Sequence, residues 1–457
     1  MDYILSQVTP SPVFTADEVL SPYVYVFYVS LVVAFFFTPI MRSVAMYYGI
    51  VDQPDQLRKI HKTPVAYLGG VAVFLGWISG LAMSQFLPVH RNAPGLTHVV
   101  INPGIVAGGC IILILGLWDD LRKIRPAVKI AGQVVAAAML LMSKTGLRIT
   151  DYFFDPLFVR TGMYLNWVPD PAFRQTLTII TSAAVVIALV VFCCNATNLM
   201  DGLDGLCGGV TAIIAGGFVL LAVHLGMFSG AEQTNNDALR VVLALALLGG
   251  VMGFIPFNFN PASIFMGDTG SMFLGFTCAL MIILLGDVAA KWFLAAMVMF
   301  ALPILDTSLA FARRWVKGRS VFSADKQHFH HQLVARGMSV RKAVLTNYIL
   351  SIAFVICGAC IVFMRTRYAV AFYLVIFFYI IVAAYKMGMV HEKPVVVTRR
   401  PLEQSNAIAS APLERNSFLE VRQEDLEHQP GDVSIPGTWT EPSPAVPPLQ
   451  QESPRPT

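Results

Sequence analysis

Residues 177–206 read LTIITSAAVVIALVVFCCNATNLMDGLDGL. The first eighteen carry no charge and are long enough to cross a bilayer as a helix, whereas the last twelve bring two amides, two carboxylates and two glycines. Four other segments repeat this junction of apolar run and polar motif. They are KTPVAYLGG (62–70), WDDLRKIRPAVK (118–129), FNFNPASIFMGDTGS (257–271) and ADKQHFHHQL (324–333). Two apolar passes separate each motif from the next, so all five return to one membrane face. Carboxylates, amides, glycines and histidines gathered on one face indicate a reaction site rather than a pore.

Composition excludes a soluble globular protein: 56% of residues are hydrophobic, 13% are charged and the mean hydropathy is +0.65. The net charge of +4 carries no signal for nucleic acid, and no such partner is expected. Seven cysteines lie in or beside apolar runs, which is not a secreted framework, and the Cys357/Cys360 pair has no second pair to complete a metal site. Residues before Ser21 contain Asp2, Asp17 and Glu18 but no Lys or Arg, so no cleavable signal is expected.

The expected fold is all-α and polytopic, with about eleven transmembrane helices. The apolar runs fall near 23–44, 68–87, 99–118, 127–142, 177–194, 206–228, 238–257, 271–286, 291–310, 343–364 and 368–388. Basic residues orient them. The first loop holds Arg58, Lys59 and Lys62, and the third Arg122, Lys123, Arg125 and Lys129. The ninth holds Arg313, Arg314, Lys317, Arg319, Lys326, Arg336, Arg341 and Lys342. The fourth, with Lys144, Arg148, Arg160 and Arg174, runs against the trend. The balance places the N-terminus outside and all five motifs in the cytoplasm. Residues 1–20 are then a short external segment and 21–388 the membrane domain, with an external loop at 143–175 of hairpin texture. Residues 389–457, rich in Pro, Glu, Gln and Ser, are expected to be a disordered cytoplasmic tail.

Five acidic residues stand in the second, third and fourth motifs: Asp119, Asp120, Asp201, Asp204 and Asp268. Each would cost roughly 2.5–3.5 kcal/mol at the bilayer centre, so they must face water or cations. One acidic residue at a helix end is ordinarily a solvated cap, but five in glycine-bracketed motifs call for a hard divalent cation, Mg²⁺ above others. Asn198, Asp201 and Asp204, spaced by three, would share a helical face. Asn258 and Phe265 supply an amide and an aromatic plane suited to a nucleobase. His328, His330 and His331 suit phosphate or sugar better than zinc, because no Cys or Glu adjoins them. Most basic residues answer to membrane orientation; Lys62 and Lys129, inside motifs, are better functional candidates. Asp306, in PILDTS, reads as structural.

Taken together, the five motifs resemble the polyprenyl-phosphate N-acetylhexosamine-1-phosphate transferase superfamily (glycosyltransferase family 4) over about 62–333. HFHH followed by QLVARGMS is similar to the UDP-N-acetylglucosamine branch, whereas the muramoyl-pentapeptide branch usually has three consecutive histidines. The resemblance implies a polyprenyl phosphate, undecaprenyl phosphate in bacteria, attacking the sugar-bearing phosphorus of a UDP-N-acetylhexosamine and releasing UMP. It implies Asp268 as the leading Mg²⁺ ligand with Asn198 as a second, Mn²⁺ being able to substitute. Asp119 and Asp120 would handle the lipid phosphate, one of them as base. Asp201 and Asp204 would position the nucleotide, Asn258 and Phe265 would lie near uracil, and the three histidines would contact diphosphate or sugar. It also implies a bacterial inner-membrane location, a role feeding a cell-surface polysaccharide, downstream glycosyltransferases of unspecified identity, and room for a homodimer. One departure is visible: relatives often show a proline and an arginine where this chain has Ala66 and Tyr67. The alternatives are the muramoyl-pentapeptide transferase of the same superfamily, a CDP-alcohol phosphotransferase, whose Asp pattern DGLDGLCGGV does not match, and a cation-coupled transporter, which would want midplane charges.

Overall fold

In hydrocarbon a backbone can satisfy its N–H and C=O groups only internally, and the long apolar runs accordingly form helices. The computed structural model describes residues 12–52, 64–87, 99–165, 170–228, 235–316, 318 and 328–386. All belong to one unit, Met1–Lys393. The tail expected over 389–457 lies outside the described residues.

In chain order the helices are α1 (Ala16–Leu20), α2 (Val24–Tyr47), α3 (Gly69–Ser84), α4 (Pro103–Arg122), α5 (Pro126–Met142), α6 (Asp151–Leu165), α7 (Pro171–Met200) and α8 (Leu206–Phe228). There follow α9 (Asn235–Asn258), α10 (Gly267–Gly286), α11 (Ala290–Met299), α12 (Ala301–Val316), α13 (Phe329–Ala335), α14 (Val340–Val362) and α15 (Thr366–Lys386). Every one of the eleven expected runs falls on a helix, but not all are fit to cross unaided. Among the described residues seven helices are long and apolar enough, beginning with a helical run from Ala16 to Tyr47 that extends into the segment expected to be external. An eighth crossing exists only if α11 and α12, bent by 73° at their junction, count as one. The shorter apolar helices α3 and α5, of 16 and 17 residues, reach only about 25 Å at 1.5 Å per residue. The expected ninth span is therefore broken rather than straight. Pro303 explains the break: it has no N–H to offer the carbonyl of Met299, where α11 ends.

The hairpin expected within 143–175 is instead helix α6. Its aromatic residues suggested strands, yet Phe154 and Phe158 stack at helical spacing with centroids 5.8 Å apart. The Tyr152 hydroxyl donates to the Asp287 carbonyl at 2.8 Å and anchors the helix to the end of α10.

The centre of the molecule is α10, buried along its whole apolar length and flanked by α3, α4, α7, α9 and α11. Phe273 projects from it into edge-on contact with Phe74 and Trp77 of α3, both at 5.3 Å. Peripheral helices instead leave large apolar side chains uncovered, among them Phe36, Ile114, Ile180 and Ile349 at 62–69% exposure, as lipid-facing surfaces require. A two-residue ladder completes the frame: β1 (Val51–Asp52) pairs antiparallel with β2 (Val65–Ala66), and Ala66 bridges to Ile264.

Candidate active site

All the described motif segments meet around the N-terminus of α10. Gly267 turns the chain into the helix with φ +72°, and a Cβ there would lie 2.6 Å from Asp120 Oδ2. That close approach lets Asp120, in the last turn of α4, cap the helix from outside. Its Oδ1 accepts from the Asp268 amide at 2.8 Å, and its Oδ2 accepts from the Thr269 amide at 3.0 Å and hydroxyl at 2.5 Å. A carboxylate on these free N–H groups also sits at the positive end of the helix dipole.

Asp268, in the first turn of the helix, faces partners from two other helices. Lys129 of α5 donates to its Oδ2 at 2.6 Å and also forms an ion pair with Asp119 Oδ2. Asn198 of α7 donates its Nδ2 to Asp268 Oδ1 at 2.8 Å and to the Ser271 hydroxyl at 3.0 Å. Asp119 is 6% exposed and spends its Oδ1 on the Ile124 amide at 2.8 Å. Adjacent Asp119 and Asp120 thus reach the same helix end in different ways, one through a lysine and one through backbone amides.

The expectation that Asn198, Asp201 and Asp204 share a helical face does not hold, because α7 ends at Met200 and Asp201 is its C-cap. Asp201 and Asp204 stand in the turn before α8, where Gly205 takes φ +79°. Burial, with the carboxylates of Asp268, Asp120 and Asp204 nearby, pushes the Asp201 pKa up to about 8. Asp204 Oδ2 accepts from the Asn260 side chain at 2.9 Å and the Ala262 amide at 3.1 Å. Asn258 is 3% exposed, and its amide is used at both ends: Oδ1 accepts from the Gly205 amide and Nδ2 donates to the Ile264 carbonyl. It clamps the third motif to the fourth.

Phe265 extends the small ladder, donating its amide to the Ala66 carbonyl at 2.8 Å. Its ring lies 6.0 Å from that of Tyr67, tilted by 56°. Burial and the Asp52, Asp120 and Asp268 carboxylates raise the Tyr67 phenol well above its usual range. Tyr67, where the sequence departs from the resemblance, therefore lies beside the same acidic centre. Lys62 lies outside the described residues.

The fifth motif folds into α13 and packs on the third. A Cβ on Gly202 would lie 2.5 Å from His330 Nε2 and 3.1 Å from His331 Nε2, so the ring edges fit against a residue without a side chain. His328 and His330 are 4% and 1% exposed, with parallel rings at 5.6 Å. Asp306 of α12 explains their order: its Oδ2 is 3.2 Å from His328 Nδ1 and 3.5 Å from His330 Nδ1, and its Oδ1 accepts from the Phe329 amide at 2.7 Å. Asp306, read from the sequence as structural, thus supports the histidines of the fifth motif. A carboxylate inside an apolar helix needs a partner, and that cost was the available signal. Thr269, which hydrogen bonds Asp120, had no comparable signal.

Chemically, the cluster offers a lysine to an anion, the Asp268 and Thr269 amides at the helix N-terminus being taken by Asp120. Asp119 and Asp268 direct one oxygen each at a single cationic centre, and such hard donors suit a Mg²⁺ ion completed by phosphate oxygens. Among the described residues no three His, Cys, Asp or Glu side chains are grouped to hold a metal alone. Asn198 presents N–H rather than oxygen to Asp268, since a carboxylate can only accept, and so orients that carboxylate.

Residues 102–286, which contain the second, third and fourth motifs, match the family model described as Glycosyl transferase family 4. A Bacillus subtilis (strain 168) protein named probable undecaprenyl-phosphate N-acetylglucosaminyl 1-phosphate transferase is 33% identical over 382 residues, covering 82% of this chain and 95% of the relative. The decaprenyl-phosphate N-acetylglucosaminephosphotransferase of Mycobacterium tuberculosis (strain ATCC 25618 / H37Rv) is 32% identical over 336 residues, 70% of this chain and 77% of the relative. The undecaprenyl-phosphate alpha-N-acetylglucosaminyl 1-phosphate transferase of Yersinia pestis is 28% identical over 330 residues, 70% and 78% of the two chains. With motifs, geometry and near full-length likeness in agreement, this chain belongs to glycosyl transferase family 4.

Proposed function

We propose that this protein transfers N-acetylglucosamine 1-phosphate from UDP-N-acetylglucosamine to a polyprenyl phosphate, undecaprenyl phosphate in the first instance, and releases UMP. The observation that carries the reading is the Asp119–Lys129–Asp268–Asn198 cluster at the N-terminus of α10, to which the histidine helix is joined through Gly202. The names of the relatives supply the sugar and the lipid carrier.

An oxygen of the lipid phosphate forms a new P–O bond to the sugar-bearing phosphorus, and the P–O bond to UMP breaks. Such a transfer asks the protein for positioning and charge neutralisation. Lys129 offsets phosphate charge, while Asp120 holds the turn that aims Asp268. Asp119 and Asp268 would hold Mg²⁺, which when bound supplies Lewis-acid neutralisation of the diphosphate. Tyr67 and Phe265 would border the uracil, with Asp201 beside the diphosphate. The site faces the cytoplasm of a bacterial inner membrane, the side where UDP-sugars are made, and the product would feed a surface polysaccharide.

The reading is tested with purified protein and a panel of UDP-sugars, measuring UMP release and product mass. UDP-N-acetylglucosamine is expected to turn over only with polyprenyl phosphate and Mg²⁺ present. UDP-glucose should be disfavoured by up to about 10⁴-fold, because a site built for the acetamido group is left with unpaired polar atoms. Efficient use of UDP-muramoyl-pentapeptide would move the chain to the other branch. Sidedness has its own test: in a cysteine-free background, an impermeant maleimide applied to intact cells should label Thr161→Cys and spare Ser323→Cys. The reverse pattern would defeat the cytoplasmic assignment.

A further inference from the structure

Asp306 lies 22 residues from His328 and 24 from His330 in sequence, yet its carboxylate is shared by both imidazoles. All three side chains are at least 95% buried. A carboxylate oxygen can only accept, so the tautomer it favours in a ring that turns Nδ1 toward it carries the proton on Nδ1. The opposite ring edge is thereby directed away from Asp306. For His330 that edge is Nε2, which is buried, has no hydrogen-bond partner among the described residues, and faces the Asp201–Gly202 turn. A buried ring nitrogen without a partner costs free energy unless a ligand completes its hydrogen bond. The second oxygen of Asp306, bonded to the Phe329 amide, fixes the start of α13 in the same register.

We propose that Asp306 is the positioning residue for diphosphate recognition: it holds His330 so that Nε2 is presented to the diphosphate of the UDP-sugar beside Gly202, with His328 completing the stacked pair. The inference rests on the UDP-sugar reading above. It assigns Asp306 no contact with substrate; the carboxylate acts through the histidines.

The test compares the binding of UDP and of uridine, which lacks both phosphates, to full-length protein in detergent. Asp306→Asn should weaken UDP by roughly 10–100-fold, the size typical of outer-shell hydrogen-bond partners. Uridine affinity should remain within about twofold, since nothing that contacts the base is altered. Asp306→Glu, which keeps the charge, should recover part of the loss. In a His330→Gln background Asp306→Asn should cost no more than about twofold, because residues acting as a unit are not additive. Unchanged UDP affinity, equal losses for UDP and uridine, or a full loss persisting in the His330→Gln background would each overturn the proposal. Should Asp306→Asn fail to fold, His330→Gln alone decides: it must weaken UDP and spare uridine, and equal affinities overturn the role. Wild-type protein that binds neither UDP nor UDP-N-acetylglucosamine would instead overturn the donor reading, and this inference with it.

Discussion

The two ends of α10 each carry an aspartate, and they are treated in opposite ways. Asp268 stands in the first turn, where the helix dipole favours a negative charge, and it is met by Lys129 and Asn198 from two other helices. Asp287 is the C-cap, about 30 Å away by helical rise, where the dipole opposes it. There Arg240 donates to the Leu284 carbonyl at 2.8 Å and pairs with Asp237 at 2.6 Å. The Asp287 carboxylate accepts from the Gly146 amide at 3.1 Å through Oδ2, while its Oδ1 is buried without a hydrogen-bond partner among the described residues. Burial pushes its pKa up to about 6. The same residue type on one helix is therefore paired with a cation at one end and carries a stability cost at the other.

The sharpest way to break this comparison is Asp268→Asn. Loss of transition-state charge stabilisation of about 4 kcal/mol predicts at least a thousandfold fall in UMP release, with little change in melting temperature. Near-normal turnover would remove Asp268 from the centre of the site.

Asp120 should show an intermediate effect of mixed character. Asp120→Ala uncaps α10 and frees the turn that aims Asp268, so turnover is expected to fall roughly 10–100-fold as for other supporting partners. The lost cap, worth about 0.5–2 kcal/mol, should lower the melting temperature by a few degrees. A variant that loses activity without any loss of stability would instead make Asp120 a direct participant in the reaction.

Asp287→Asn is expected to do least to activity, within about twofold, and to raise the melting temperature at pH 7.5 by about 1–2 °C. The sign follows from the raised pKa. With a folded value of about 6 against an ordinary 3.8, the folded protein binds this proton more tightly than the unfolded chain. Wild-type stability is thus fullest below pH 4, declines as pH rises from 4 to 6, and stays reduced above that. The advantage of the asparagine variant, measured by thermal unfolding across pH, should therefore vanish near pH 4. A constant advantage at every pH would show that the charge of Asp287 is not its cause.

The helices and their polar ends were legible because hydropathy is local. A run such as 177–194 must be helical in a bilayer whatever surrounds it. Span fitness was less legible, since it depends on a break such as that at Pro303 and on a helix of 16 or 17 residues being too short to reach across. The α6 aromatics misled because Phe154 and Phe158 suit a strand by propensity and a helix by their spacing of four. In the site, Asp268, Asn198 and Lys129 could be picked out by type and motif. The division of labour between Asp119 and Asp120 could not, because it turns on which carboxylate meets the amides of a helix 148 residues away. Asn258 offers the same lesson: an amide suited to a base is held by Gly205 and Ile264 within the protein.

By itself, the sequence determined a helical membrane protein with polar motifs at the ends of apolar runs, because apolar length needs no knowledge of neighbours. Only the tertiary structure decided which groups share a charge. Lys129 meets Asp268 across 139 residues, and Asp306 in an apolar helix orders the histidines of the next motif. Those pairings depend on helix register and on close approaches at Gly202 and Gly267, at distances of 2–4 Å that no local pattern encodes.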